Sequence, residues 1–142
     1  MRNSKTLSIM IAGLVFVAGL SSARAEDAHK AAVRSLEDRI TEINESTKKP
    51  EQMKTAMQKI STETGVPLER VHNMHKSHEN AGAGGLMIAC VLAKQTNDKK
   101  SAVEFLDKHA TGKSWEEIAK DNHVSLDTLT SQLDTLQADL KK

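Results

Sequence analysis

The chain has 142 residues, of which 38% are apolar, 27% charged and 2% aromatic, with a formal net charge of +1. That length holds one small domain, and the charge fraction excludes a polytopic membrane protein. A single Cys allows neither an internal disulfide nor a cysteine-based zinc cage, and 2 Phe, 1 Trp and no Tyr leave no aromatic platform for stacked bases or sugars.

Residues 1–25 read as a secretory signal peptide. Arg2 and Lys5 form a positive n-region, Leu7 to Leu20 an apolar h-region, and Ala23-Arg24-Ala25 an A-x-A cleavage site on Ala23 and Ala25. The apolar run is about 14 residues, short of the roughly 20 that span a bilayer as a helix. The expectation is a bacterial protein exported to the periplasm or secreted, with no stable membrane insertion after cleavage. Arg2, Lys5 and Arg24 leave with the leader, so 17 bases face 19 acids and the mature chain is net −2. A slightly acidic chain with interspersed charges has no electrostatic footprint for nucleic acid.

From Glu26 onward the pattern is helical. Val33, Leu36, Ile40 and Ile43 recur at spacings of 3, 4 and 3, which predicts an amphipathic helix from about Asp27 to Ser46. Lys48-Lys49-Pro50 ends it and starts a second helix carrying Met53, Met57 and Ile60, stopped by Gly65. Pro67 opens a third helix with Leu68, Val71 and Met74 on one side. Asn80 to Gly85 (Asn-Ala-Gly-Ala-Gly-Gly) reads as the most flexible stretch of the mature chain. Leu86 to Ala93 is apolar on every face, the pattern of a buried central helix. Val103, Phe105 and Leu106 mark a short helix ending near Gly112.

Ser114-Trp-Glu-Glu117 is a capping box opening a helix that runs to about Asp121. A last helix begins at Ser125 and continues through Leu133, Leu136 and Leu140, with Val124 and Leu129 as its hydrophobic staple. No segment alternates with period 2. The predicted fold is all-α, about seven helices, with helix-turn-helix hairpins around the buried central helix. The predicted organisation is signal peptide 1–25, N-terminal amphipathic helix 26–49 and helical-hairpin domain 50–142.

An internal repeat underlies the hairpins. Ile60-Ser-Thr-Glu-Thr-Gly-Val-Pro-Leu-Glu-Arg-Val71 matches Ile118-Ala-Lys-Asp-Asn-His-Val-Ser-Leu-Asp-Thr-Leu129 apolar position for apolar position, 58 residues on. Each reads helix end, tight turn, Val, cap, helix start. A looser third copy runs from Leu92–Asn97 into Ser101–Phe105, with two extra residues in its turn.

The stretch from Trp115 to Leu129 resembles the helical hairpin of LysM peptidoglycan-binding domains, and it is equally similar to a DNA-binding helix-turn-helix. Residues 60–129 resemble small exported bacterial helical proteins of unknown function. That group shares a Thr-Gly-Val-Pro corner, a Gly-x-Gly-Gly apolar helix and a Gly-Lys-Ser-Trp-x-x-Ile-Ala-Lys segment. The helix-turn-helix likeness implies a recognition helix at Leu126–Leu133, which carries no Arg or Lys, against what phosphate contact needs. The LysM likeness implies flanking strands, yet the leucine stripe continues as helix.

Several residues are candidates for chemistry. His72, His75 and His78 stand at i, i+3, i+6, a slanted ridge whose neighbouring pairs can share a metal. Imidazole suits zinc, copper or nickel, although no Cys or carboxylate completes a conventional zinc set. A solvated polar face explains the ridge equally well. Gly82, Gly84 and Gly85 can bare amides to an anion at the start of the central helix, or serve steric closeness alone. Thr111-Gly112-Lys113-Ser114 imitates a P-loop end but lacks its first Gly and a preceding strand. Cys90 has no neighbouring cation to activate it. Trp115 is either a seal for its hairpin or an exposed ligand contact.

No nucleophile–base–acid set stands out. The expected role is therefore non-catalytic, through contacts with another protein or a cell-wall component, with no cofactor. Two alternatives stand beside it: periplasmic transition-metal binding through His72, His75 and His78, and LysM-like cell-wall binding. Pairing of the first and last helices across two copies of the chain is a further expectation.

Overall fold

The apolar stripes resolve into seven α-helices in a computed structural model, which describes residues 3–96 and 101–142, with side chains from residue 23 onward. In chain order they are α1 (Asn3–Ser46), α2 (Pro50–Thr64), α3 (Leu68–Ser77), α4 (Gly82–Thr96), α5 (Ala102–Ala110), α6 (Trp115–Asp121) and α7 (Leu126–Leu140). A single 3₁₀ turn, Glu79–Ala81, joins α3 to α4. Among the described residues there is no strand, and the fold is all-α.

The chain forms two units, Met1–Val33 and Arg34–Lys142. In the first, the described side chains Ala23 to Ala31 are exposed along the helix. The second begins inside α1 and so includes its core-facing residues. Leu36 and Ile43 are buried there, and Ile40 packs against the same core. Thr47 ends this stretch, folding its hydroxyl back to the Ile43 carbonyl at 2.8 Å, which satisfies a polar group that is itself buried.

The central helix is α4. It packs against α2, α3, α5 and α7, while α2 also meets α3 and α7, and α5 meets α6. Every residue from Ala83 to Leu92 is buried. The glycine-rich stretch is not a flexible loop: Gly82, Gly84 and Gly85 form the first turn of α4. Gly84 and Gly85 cost about 2 kcal/mol of helix propensity relative to Ala. Leu86, Met87, Ile88, Val91 and Leu92, all buried, contribute roughly 7–15 kcal/mol against that. Tertiary burial decides the conformation.

The two matching corners are built alike. Gly65 ends α2 with φ 75° and its amide on the Ser61 carbonyl. The equivalent residue of the second copy, His123, has φ 56° and is the only non-glycine with positive φ among the described residues. After it, the Val124 amide bonds the Ala119 carbonyl at 2.9 Å, a Schellman-type closure. Val66 and Val124 both lie against the core, and the next-helix residues Val71 and Leu129 are fully buried. The turn of the third copy lies partly outside the described residues.

The caps follow the sequence closely. Ser114 accepts from the Glu117 amide at 3.2 Å and Glu117 reaches back to the Ser114 amide at 3.0 Å. Ser125 accepts from the Thr128 amide. The short helix marked by Val103, Phe105 and Leu106 forms as α5, but its buried residues are Ala102, Phe105 and Leu106, whereas Val103 is exposed. At 100° per residue, Ala102, Phe105 and Leu106 share one face at i, i+3, i+4, and Val103 falls off it.

Candidate functional site

The start of α4 is capped by a group from far upstream in the chain. Asn44, on α1, accepts the Gly84 amide on its side-chain oxygen at 2.9 Å and donates from its nitrogen to the Ala81 carbonyl at 3.4 Å. Asn44 thus occupies the place an anion would take. A Cβ on Gly84 would stand 3.0 Å from the Ile40 Cα and 3.1 Å from the Ile40 carbonyl oxygen, so α1 and α4 touch backbone to backbone here. Gly82 adopts φ 66°, a conformation that excludes most side chains. The glycines serve close helix packing and a helix start.

The histidine ridge divides. His72, His75 and His78 are each half-buried. His75 lines a cavity of about 530 Å³ together with Asn44, Thr47, Met53, Met57 and Glu79. His78 lines a different cavity, of about 330 Å³, with Ser77, Asn80, Leu106 and His109. His72 lines neither. Each step of three residues turns the side chain by about 300°, which is enough to send neighbours into separate spaces. Among the described residues no group of three or more His, Cys, Asp or Glu is placed to hold a metal ion.

His78 instead bridges two helices. Its Nε2 donates to the Asp107 carboxylate of α5 at 2.7 Å, while its Nδ1 is buried without a hydrogen-bond partner. Also on α5, His109 donates from Nδ1 to the Lys113 carbonyl at 2.9 Å and stacks on Trp115, centroids 4.3 Å apart and planes at 16°. Trp115 is only 6% exposed. Its ring edge lies 3.5 Å from where a Cβ on Gly85 would stand, so the indole packs directly over the first turn of α4. Trp115 packs as a core residue between α4 and His109.

Cys90 lies at the centre of α4, fully buried, and burial pushes its thiol up to about 12 despite a hydrogen bond with Thr64 that acts the other way. It stays protonated near neutral pH and has no nucleophilic character. Gly112 (φ 108°) turns the chain between α5 and the Ser114 cap, which is how the P-loop-like residues are used. Ala23 and Ala25 are exposed on α1.

Sequence reasoning missed Asn44, Asp107 and His109, all of which act on partners distant in the chain or one turn away. It also treated Met53 and Met57 only as core residues, although both face the His75 cavity. Their i, i+4 spacing was the available signal. Among the described residues no helix is long and apolar enough to cross a membrane. No family model, curated protein or solved structure matches the chain.

Proposed function

We propose that this is a small exported helical protein that works, without catalysing a reaction, by contact with another macromolecule of the cell envelope. The observation that carries the contact reading is the run Glu26–Ala31, helical and exposed residue by residue. That part of α1 buries no side chain of its own, and helices in proteins gain most of their stability from packing, which a partner covering it supplies. The export reading is supported by the n-region, h-region and A-x-A pattern of residues 1–25. Cleavage after Ala25 also leaves Glu26 and Asp27 in the first turn of the shortened helix, where negative charge suits the helix dipole.

The experiment expresses the full chain with its own leader in a bacterium, recovers it from the periplasmic fraction and measures its intact mass. The expected product begins at Glu26. Hydrogen exchange over residues 26–33 of that product then follows, with and without isolated cell-envelope material, and protection is expected only with it. Retention of the uncleaved chain in the cytoplasm overturns the export reading. Unchanged exchange with envelope material, or robust turnover of a substrate by the purified protein, overturns the contact reading.

A further inference from the structure

We propose that Met53, Met57 and His75 form a binding site for a soft monovalent metal ion, with Cu(I) as the ion the donor set selects. Met53 and Met57 sit at i, i+4 on α2, which puts both thioethers on one face of the helix. That face lines the cavity of about 530 Å³, and His75 of α3 lines it too. The His75 Nδ1 is buried and has no hydrogen-bond partner within the chain. Buried polar nitrogens are normally satisfied, so an orphaned imidazole nitrogen asks for a ligand.

The chemistry of the donors chooses the ion. Thioether sulfur is neutral, polarisable and a poor ligand for hard cations, whereas imidazole accepts both borderline and soft metals. Two thioethers and one imidazole make a neutral three-donor set, suited to a singly charged d¹⁰ ion and unsuited to Ca(II) or Mg(II). The carboxylate of Glu79, at the edge of the same cavity, offers a compensating negative charge. This set differs from the histidine ridge in using one histidine and two methionines drawn from facing helices. A purely structural role for the methionines makes a contrary demand: as apolar filling, either could be exchanged for Leu without consequence.

The test is anaerobic titration of the purified protein with Cu(I) in competition with a chromogenic Cu(I) chelator. The expected result is one Cu(I) withdrawn per chain, with an X-ray absorption spectrum fitting two sulfurs and one nitrogen. Met53→Leu, Met57→Leu and His75→Gln should each weaken binding by about tenfold or more, while His72→Gln and His78→Gln leave it unchanged. Cys90→Ala should also leave it unchanged, which removes the thiol as the source. Met57 is buried, so its variant is checked by circular dichroism. If it unfolds, the half-buried Met53 decides the matter alone. Failure of the unmodified protein to compete, binding by Met53→Leu and His75→Gln equal to it, or loss of binding in Cys90→Ala overturns the proposal.

Discussion

Replacing Gly84 with Ala sets two effects of known sign against each other. In an exposed helix the change stabilises by about 1 kcal/mol, because Ala is the better helix former. At Gly84 the added Cβ would lie 3.0 Å from the Ile40 Cα and 3.1 Å from both its carbonyl oxygen and Cγ2, closer than ordinary van der Waals contact. Two of those three atoms belong to backbone, which cannot rotate away as a side chain can. Overpacking of this kind costs about 1–3 kcal/mol. Moving α1 outward also stretches the 2.9 Å bond from the Gly84 amide to Asn44, a cap whose loss costs about 1 kcal/mol. The net expectation is a destabilisation of roughly 1–3 kcal/mol. For a domain of this size it lowers Tm by about 3–15 °C. Thermal and urea unfolding followed by circular dichroism measure it. Combined with Asn44→Ala, the loss should be less than additive, because both changes act on one contact. An unchanged or raised Tm for Gly84→Ala would refute the close approach of α1 and α4.

Trp115→Ala should cost about 3–5 kcal/mol, since the indole is buried against α4 and His109, and the native protein should fluoresce to the blue with little iodide quenching. A water-like emission spectrum contradicts that burial. Glu63, on α2, holds its proton above the usual carboxylate range, first because of burial and then because it hydrogen-bonds Asp139 of α7. A carboxyl bound more tightly by the folded chain favours folding below its ordinary value, and that contribution is lost as pH rises through the raised folded value. Glu63→Gln should therefore raise Tm near pH 7 and change it little near pH 4, as melts at the two pH values would show. An equal effect at both pH values defeats the reasoning.

The features legible in the sequence are those whose partners are neighbours. Ser114 with Glu117 and Ser125 with Thr128 are set by contacts three residues apart, and the structure forms both. The likeness of the two corners is also legible, and it carries further than the residue types suggest. His123 takes up the left-handed conformation of Gly65 although it is not a glycine. Long-range relations were not legible. Gly82, Gly84 and Gly85 look flexible because local propensity says so, and the close approach of Ile40, far earlier in the chain, is what calls for a glycine at Gly84 inside a buried helix. The histidine ridge failed to specify a cluster for a simpler reason. Spacing fixes angles around one helix, but the neighbouring helices decide which spaces those angles open into. The leucines of α7 illustrate the same point: Leu129, Leu133 and Leu136 are buried within their own chain, where a stripe alone does not distinguish an internal core from a partner.

Asn44 gives the fold a particular kind of cooperativity. The opening turn of the central helix is built from residues that carry almost no side chain, and its amide at Gly84 is satisfied by a group 40 positions upstream. That turn therefore has little reason to persist once α1 lifts away. Hydrogen exchange should therefore show the amides of that turn and those of the core-facing half of α1 opening together. Nucleation cannot finish locally either, because the loop from Asn44 to Gly84 must close before the helix at the centre of the molecule has a beginning. The C-terminal half of α1 thus holds the key to when the core becomes complete.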